Sequence, residues 1–497
     1  MKTFSGTYGK DTEKSNSLVE NLLKYPEISK TLVRQHQRYS LTYLLERAGR
    51  FSNAKVLADN SYEWKVLGRL NQPLTGHGFY DADNSGAYSP AGTAANDIEN
   101  TANNVVYVAF KHDGSTTYCL ANRNDVIRFQ SGATALVLEA DVTPGTSHGL
   151  TGNYKVLKLR LISGAIVGAD IAADAIAGTI SSAFGEGSTG SSVGQNQVFP
   201  DTYRNWLTIS RKKKKVTGSQ LSDVTWIENN GQALWYFTAE ELMIQEFMYQ
   251  LELQRWYGVK SAGLSGTQTS PGQTYTSTLT DADSSVVQTG DGLLAQITGS
   301  NDGSYSGSLT EEAIVDYMAD LSKNATGAEG NEYVVMTGTE GRKQFHRAMK
   351  DLLVGPGTSS NGAGGATVFD VKAGQDVELG VNFTSYNALG NKITVAHCPV
   401  FDDPNLHGSS SLESGKMVFL DFGAEGDGSN IELIAKGADG YNRNYIRKYV
   451  PGMVNPYDYK GMMAANGDDA FECHVMSESG IIVRNPLSCG IFTKTAS

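Results

Sequence analysis

The stretch TAEELMIQEFMYQLELQRWYG, from Thr238 to Gly258, is a long helical pattern on which the interpretation of the whole chain depends. Thr238 and Glu241 have the spacing of a capping box, in which each side chain accepts a hydrogen bond from a free backbone N–H at the helix start. Gly258 is a favourable residue for ending a helix. About twenty residues at a rise of 1.5 Å predict a rod of roughly 30 Å. The apolar residues at helical spacing are Ile244, Phe247, Met248 and Leu251, followed by Trp256 and Tyr257.

The composition around this helix is polar and rich in glycine. The chain has 497 residues, of which 55 are glycine and only 12 are proline, and its hydrophobic content is 40%. An excess of glycine with little proline indicates many turns and flexible loops. The charged content of 19% is too low for a disordered polyelectrolyte. We therefore expect an extended protein built around one helical spine, which gains stability from neighbouring copies.

The net charge of −12 is unevenly distributed. Residues 1–70 hold 12 Lys and Arg against 7 Asp and Glu, whereas the rest of the chain holds 29 against 46. A basic N-terminal arm on an acidic body favours contacts between copies of the chain. A solvated basic helix would produce the same pattern, so the two interpretations stay open.

Four cysteines, Cys119, Cys398, Cys473 and Cys489, are spread widely along the chain. This is typical of reduced thiols in a cytoplasmic protein rather than of a disulfide scaffold. The first residues lack the apolar core of a signal peptide, and no stretch reaches the roughly 18 apolar residues that span a membrane. We expect a protein that folds in a cytoplasm without membrane association.

The segments on both sides of the spine predict a mixture of helices and strands. A helix is expected over residues 27–47, another from the capping box Ser308–Glu311 to Lys323, and a third from Thr337–Glu340 to Leu353. Residues 165–184 are rich in alanine and fit a helix or a loop. Strands are predicted at residues 105–110, 135–140, 154–162, 333–336, 377–383, 392–396, 417–422 and 431–434. The C-terminus predicts a hairpin, with strands at residues 470–476 and 481–483 and a turn at Ser479-Gly480.

Motifs that would indicate catalysis are missing from the sequence. Gly415-Lys416 lacks the earlier glycine and the following Ser or Thr of a phosphate loop, and neither GxSxG nor HExxH occurs. Carboxylate pairs that the fold brings together leave no sequence motif, so an enzyme is not excluded at this point. We predict no catalytic residues and no cofactor.

Two groups of residues could be considered for metal binding. Asp81-Ala82-Asp83-Asn84-Ser85-Gly86 resembles half of a calcium loop, but the twelfth position is Gly92 instead of a bidentate Glu, which favours a plain turn. His397-Cys398 and Cys473-His474 are adjacent pairs whose side chains would point to opposite faces of a strand. Zinc sites normally use CxxC or HxxxH spacing, so buried structural cysteines are favoured and no metal is predicted.

The basic run from Arg211 to Lys215 is the strongest local cluster of charge. A nucleic-acid-binding role is disfavoured because the pI is about 5.2. We expect a solvated loop, or a contact with an acidic patch on a neighbouring copy, and the role of Lys212–Lys215 stays open. Asn324-Ala325-Thr326 and Asn382-Phe383-Thr384 match the glycosylation pattern, which has no meaning for a protein without a signal peptide.

The order of these segments resembles the major capsid proteins of tailed bacteriophages with the Hong Kong 97 fold. Thr238–Tyr257 looks like the spine helix of that family. EYVVMTGTEGRKQFHRAMKDLL, from Glu332 to Leu353, looks like a strand and helix of its axial domain. YVPGMVNPYDYKG and SESGIIVRNPLSCG, within residues 441–493, look like the return to the peripheral domain. In detail the sequence is most similar to the capsid proteins of crAss-like phages.

The resemblance implies an α+β fold and a division into five parts. These are an N-terminal arm with helices (1–50), an extended loop with an inserted subdomain (51–236), a peripheral domain with the spine helix (237–310), an axial domain (311–440) and a return to the peripheral domain (441–497). Residues 51–236 are much longer than a minimal extended loop, which is why we predict an insertion there. No cleaved scaffolding segment and no crosslinking residue is predicted.

The resemblance also implies a structural function. We expect an icosahedral virion shell in which copies of the chain form pentamers and hexamers around double-stranded DNA, without sequence-specific DNA binding. Portal and accessory capsid proteins would be further partners, and assembly would take place in the cytoplasm of the host bacterium. Two alternatives stay open here: a virion surface or adhesion protein that binds glycans, and a hydrolase whose site is assembled by the fold.

Overall fold

The structure is a computed structural model that describes the chain in separate ranges. These are residues 41, 55–66, 73–85, 87–90, 103–114, 117–145, 148–188, 200–221, 224–229, 232–261, 279–299, 301–324, 332–354, 385–408, 411–425, 428–438, 441–455, 464 and 466–495. The expected strand at residues 377–383 lies outside them, as does the expected helix at residues 27–47 apart from Leu41, which is helical. The described residues fall into two compact units, residues 67–201 and the rest.

The helices occupy the second unit. They are α1 (Gly218–Leu221), α2 (Trp235–Tyr257), α3 (Leu293–Ile297), α4 (Glu311–Asn324), α5 (Thr339–Val354), α6 (Pro404–His407) and α7 (Ser411–Ser414), with short 3₁₀ turns at Pro399–Asp402 and Pro486–Ser488 in this unit and at Gly168–Asp170 in the other.

The strands are numbered along the chain. The first group is β1 (Lys55–Leu57), β2 (Ser61–Val66), β3 (Leu74–Asp81), β4 (Ser89–Pro90), β5 (Val105–Lys111), β6 (Asp125–Arg128), β7 (Thr134–Glu139), β8 (Tyr154–Ser163), β9 (Ile176–Ser182), β10 (Asp201–Trp206), β11 (Thr208–Thr217), β12 (Val224–Asn229) and β13 (Gln232–Leu234). The second group is β14 (Asp302–Ser306), β15 (Glu332–Thr337), β16 (Ser385–Ala388), β17 (Asn391–His397), β18 (Met417–Asp421), β19 (Ala424–Glu425), β20 (Gly428–Ser429), β21 (Ile431–Ala438), β22 (Tyr441–Asn442), β23 (Ile446–Pro451), β24 (Ala470–Val483) and β25 (Gly490–Thr495).

Residues 67–201 form a closed antiparallel barrel. The strands follow the order β3-β5-β8-β7-β6-β9, and β9 pairs back with β3 at Leu74↔Ala177 and Thr75↔Ile176. Closure leaves the six strands without an open edge. Alternate residues of the strands point inward and form one apolar core, which includes Val106, Val108, Ile127, Val137, Leu157, Leu159 and Leu161.

A mixed six-stranded sheet lies in the other unit, with apolar residues on both faces. Its order is β14-β25-β18-β15-β17-β16, with parallel pairs β14–β25 and β15–β17. Strand β15 shows how the faces separate, since Tyr333 and Val335 pack against α4 and α5 while Val334 and Met336 point to the opposite core. That opposite core contains Trp256 of α2, so the spine helix closes the second face of this sheet.

A second sheet of the same unit is organised around β24, a strand of 14 residues. Strand β11 pairs antiparallel with one side of β24, and β23 and β21 pair with its other side. One face of β24 presents Cys473 and Val475 to Met243, Phe247 and Leu251 of α2. The spine helix therefore lies against both sheets.

The spine helix is confirmed, but its start differs from the prediction. Helix α2 begins at Trp235, directly after β13, so Thr238 lies inside the helix and does not cap it. Its end at Tyr257 agrees with the expected role of Gly258. Gly258 is needed for close approach, because a Cβ atom there would lie 2.6 Å from the carbonyl oxygen of Gln254.

The other two helices are confirmed, although their predicted caps are wrong. The Thr310 hydroxyl accepts from the backbone N–H of Ala313, so Thr310 rather than Ser308 serves the first turn of α4. Helix α5 begins at Thr339, and the Thr337 hydroxyl donates to the carbonyl of Lys416 in place of capping it. Residues 165–184, expected as helix or loop, contain instead a 3₁₀ turn and strand β9.

The predicted C-terminal hairpin is wrong. Ser479 and Gly480 lie inside strand β24 and continue its extended backbone. Both residues pair with β21, for example at Ile434↔Gly480. Glycine is required at position 480 because a Cβ atom there would lie only 2.9 Å from the Tyr62 hydroxyl. The glycine that suggested a turn allows close packing within a strand.

The barrel has its own core, so we predict that residues 67–201 fold when they are expressed alone. In this fragment, Leu159→Ala should lower the free energy of unfolding by about 2–5 kcal/mol, because Leu159 is fully buried among other core residues. Ile180→Ala is the matched control, since Ile180 is 56% exposed and its loss should cost less than about 1 kcal/mol. Urea denaturation followed by circular dichroism measures both values. A fragment without a cooperative transition would show that the barrel is not an independent folding unit.

Candidate functional site

A buried carboxylate on α2 binds the backbone of Leu41. The side chain of Glu252 is fully buried, and its Oε1 atom accepts a hydrogen bond of 2.8 Å from the backbone N–H of Leu41 and one of 2.9 Å from Nε1 of Trp256. Leu41 is itself fully buried, in the same core as Trp256. The spine helix thus provides an attachment point for a segment more than two hundred residues earlier in the sequence.

A second buried charge lies beside this carboxylate. Arg255 is only 4% exposed, and burial lowers the pKa of its guanidinium to about 10, while the neighbouring charge of Glu252 raises it. The guanidinium is therefore still charged at neutral pH. A buried cation and a buried anion on adjacent turns stabilise each other, so that removing either one would raise the cost of burying the other.

The first half of α2 carries a similar anchor. Glu240 is 4% exposed, and its Oε1 atom accepts hydrogen bonds from the Tyr449 hydroxyl at 2.7 Å and from the Cys473 thiol at 3.5 Å. Arg447 approaches the same oxygen at 3.8 Å. These partners belong to β23 and β24, so Glu240 fixes the register of the spine helix on its sheet.

The cluster of polar side chains that most resembles a hydrolase site lies at the start of α5. Asp402 accepts hydrogen bonds from the hydroxyl groups of Thr339 and Ser414, at 2.6 and 2.5 Å, and lies 2.7 Å from Nε2 of His397. A hydrolytic triad needs the histidine between the serine and the aspartate. Here the aspartate is central and the serine bonds to it, so this arrangement does not activate a nucleophile.

The same group explains how α5 begins. The backbone N–H of Thr339 donates to both carboxylate oxygens of Asp402, and the backbone N–H of Glu340 donates to the Ser414 hydroxyl. Burial raises the pKa of the Asp402 carboxyl, but hydrogen bonds from His397, Ser414 and Thr339 outweigh it and bring the pKa well below its usual value. Asp402 is thus a charged cap for a helix whose N-terminus attracts negative charge.

The candidate metal and thiol sites are not assembled. Among the described ranges, no three His, Cys, Asp or Glu side chains gather as a metal site would require. Cys398 packs near Trp256, whereas Cys473 packs near Met243, so the two His-Cys pairs lie in different cores. Burial raises the pKa of Cys119 to about 11 and that of Cys473 and Cys489 to about 12, which leaves these thiols protonated and unreactive.

The calcium-like residues form a turn. The carboxylate of Asp81 accepts from the backbone N–H of Asp83, and that of Asp83 accepts from the backbone N–H and hydroxyl of Ser85. Asn84 adopts a left-handed conformation with φ of 56°, which asparagine tolerates in turns. The described part of this segment agrees with the interpretation as a plain turn.

The basic run Arg211–Lys215 lies in β11, so the prediction of a loop there is wrong. Its side chains alternate between the two faces of the sheet because successive residues of a strand point in opposite directions. Lys212 forms an ion pair with Glu246 of α2, and Lys215 lies 3.3 Å from Asp468 and 3.5 Å from Glu472. Lysines on an edge strand also discourage unwanted strand pairing.

Comparison with known proteins identifies the chain. A model of the family described as Crassvirus major capsid protein matches residues 162–496, which is more than half of the chain. The chain belongs to this family. It is therefore a structural capsid protein of a phage virion, which assembles with other copies of itself. This confirms the predictions of a non-catalytic capsid protein and of a resemblance to the capsid proteins of crAss-like phages. The helices and strands of the described ranges agree with the predicted α+β class.

Solved structures with similar chains include one from Mycobacterium phage Bobi, with 9% identity, coverage of 98% of this chain and 100% of that chain, and a TM-score of 0.36. A chain from Gordonia phage Cozz has 10% identity, full coverage of both chains and a TM-score of 0.34. The capsid asymmetric unit of cyanophage Pam1 contains a chain with 9% identity, coverage of 63% and 82%, and a TM-score of 0.33. These low values add no argument to the family match. No curated protein matches the chain.

Sequence reasoning did not find the anchors of this capsid protein. No role was predicted for Glu252 or Glu240. A usable signal was present, since Glu252 and Trp256 are four residues apart and face the same side of the helix. The partners Leu41, Tyr449 and Cys473 are distant in sequence and could not be inferred. No helix in the described ranges is long and apolar enough to cross a membrane.

We predict that Glu252→Gln destabilises the capsid protein by about 3–5 kcal/mol, because the variant removes a buried negative charge that stabilises the buried guanidinium of Arg255. Glu246→Gln on the same helix is the control. The Glu246 side chain is 61% exposed and pairs with Lys212, so its loss should cost less than about 1 kcal/mol. Thermal unfolding of the unassembled subunits compares the two. Equal effects of both substitutions would contradict the role given to Glu252.

We also predict an acid-sensitive contribution from Asp402. A carboxyl with a lower pKa in the folded chain stabilises the fold above its unfolded pKa of about 3.9, and this stabilisation is lost as the pH falls through the folded pKa. Asp402→Asn should therefore cost about 1–2 kcal/mol at pH 7 and show a shallower loss of stability on acidification. Asp320→Asn is the control, since the Asp320 side chain is 69% exposed. Melting curves between neutral pH and strong acid test this, and parallel curves for wild type and Asp402→Asn would contradict it.

Proposed function

We propose that this capsid protein builds an icosahedral phage head around double-stranded DNA. Pentamers and hexamers of the same chain would form the shell, with portal and accessory capsid proteins as further partners, and assembly would occur in the cytoplasm of the bacterial host. The observation that carries the proposal is the family match over residues 162–496. The acidic net charge of −12 supports an enclosing role without tight DNA binding.

We further propose the roles of the segments. Residues 1–50 act as the N-terminal arm, and the barrel of residues 67–201 is the inserted subdomain of the extended loop at residues 51–236. Helix α2 is the spine of the peripheral domain, which spans residues 237–310 and 441–497. Residues 311–440 supply most of the axial domain, whose mixed sheet also takes β14 and β25 from the flanking segments.

Electron microscopy of the full chain expressed in bacteria tests the shell directly. Closed isometric particles are expected, and image classification should show five-fold and six-fold groups of subunits. Fibres, or a discrete monomer or trimer with no particles, would contradict the proposal.

The N-terminal arm offers a narrower test. Deleting residues 1–26 should leave a folded subunit, because the buried contact between Leu41 and Glu252 is kept. The same deletion should prevent particle formation if the arm joins neighbouring subunits. Circular dichroism checks the fold, and sucrose-gradient sedimentation measures assembly. Normal particles from the truncated chain would rule out this role of the arm.

A further inference from the structure

One face of the sheet around β24 carries more positive charge than its neighbours neutralise. Cys473 and Val475 pack against α2, so His474 and Met476 point to the opposite face. Register places Lys213 beside His474 and Arg211 beside Met476 on one side. On the other side it places Lys448 beside His474. We call the cations Arg211, Lys213 and Lys448 the basic face.

Ion pairs inside the chain do not use up this charge. Two glutamates of β24 lie on the same face of the sheet as the basic face, and both already form ion pairs. Glu472 pairs with His474 and Lys215. Glu478 pairs with Arg443 and Lys436. Glu472 also attracts Lys213 over a longer distance. Within the described ranges, however, no carboxylate lies within ion-pair distance of the basic face.

The shape of the basic face favours a protein partner over a nucleic acid. Its cations line a recess of about 500 Å³, together with the apolar side chains of Ile446 and Met476. Ile209, two residues before Arg211 on the same face of β11, is 46% exposed. Phosphate backbones are bound through cations and polar donors, whereas apolar residues between charges are typical of a contact with another protein.

A matching acidic surface lies on α4 of the same chain. Glu312 and Asp316 are exposed, and neither side chain forms an ion pair or hydrogen bond with the described residues. They lie four residues apart on one face of the helix, which separates them by about 6 Å along its axis. Arg211 and Lys213 lie two residues apart on a strand, a separation of about 6.6 Å. The spacing of the two carboxylates on α4 therefore nearly matches the spacing of the two cations on β11.

We propose that the basic face of one subunit binds the acidic ridge Glu312–Asp316 of a second subunit in the shell. This inference rests on the proposed function, because it assigns one of the contacts that a self-assembling shell requires. Exposed ion pairs are weak one by one. Repeated at each such contact, they select the correct neighbour and reject wrong arrangements, since like charges placed together are strongly unfavourable.

A charge-swap experiment on the full chain tests the proposal. Arg211→Glu with Lys213→Glu should lower the particle yield at least about tenfold, and Glu312→Lys with Asp316→Lys should do the same. The chain that combines all four substitutions should assemble again, to at least about half of the wild-type yield. The matched control is Arg342→Glu with Arg347→Glu, which reverses two exposed cations of α5 and should leave the yield unchanged.

The readouts separate the possible outcomes. Thermal unfolding of each unassembled variant checks its fold, and the milder pair Arg211→Gln with Lys213→Gln replaces any reversal that fails to fold, with a smaller expected loss of particles. Unchanged yield in the reversed variants, or no rescue in the four-fold variant, overturns the proposal. Unchanged yield with reduced retention of a duplex DNA probe in a mobility assay would assign the face to DNA instead. Absence of particles from the wild-type chain would overturn the proposed function as well.

Discussion

The packing of α2 against two sheets at once is the constraint on which the larger unit depends. Its first half lies on β24 through Phe247 and Leu251, and its last turn closes the far face of the mixed sheet through Trp256. A helix shared by two cores transmits any displacement of one sheet to the other, because packed interiors yield little. The buried carboxylates Glu240 and Glu252 add direction to this packing, since they hydrogen-bond only when the helix has the correct rotation and register.

The barrel of residues 67–201 is stabilised in a different way from the larger unit. Its strands complete one another's backbone hydrogen bonds by closing into a barrel, and its core residues are buried among themselves. The larger unit instead gathers strands from remote parts of the sequence, for example β1 beside β21 and β14 beside β25. Such non-local pairing requires the closure of long loops before the contacts form, which slows folding.

Local patterns predicted the elements that depend on local physics. Helices α2, α4 and α5 and the strands at Val105–Lys111 and Glu332–Thr337 follow from apolar period and β-branched content. The wrong predictions concern features that are determined by contacts with residues distant in the sequence. Asp402, rather than a nearby threonine, caps α5. Gly480 makes room for Tyr62, more than four hundred residues earlier, and so continues a strand where a turn was expected. Barrel closure and the carboxylate anchors belong to the same class, because their partners are set by the tertiary fold.

Most of the barrel lies before residue 162, where the family match begins. A module that completes its own hydrogen bonding asks little of the surrounding chain, so its outer residues can change from one phage to another under separate selection. Such a module can be exchanged for another without disturbing the larger unit. The same property makes its exposed loops, such as residues 151–153, natural places to graft foreign peptides for vaccine display.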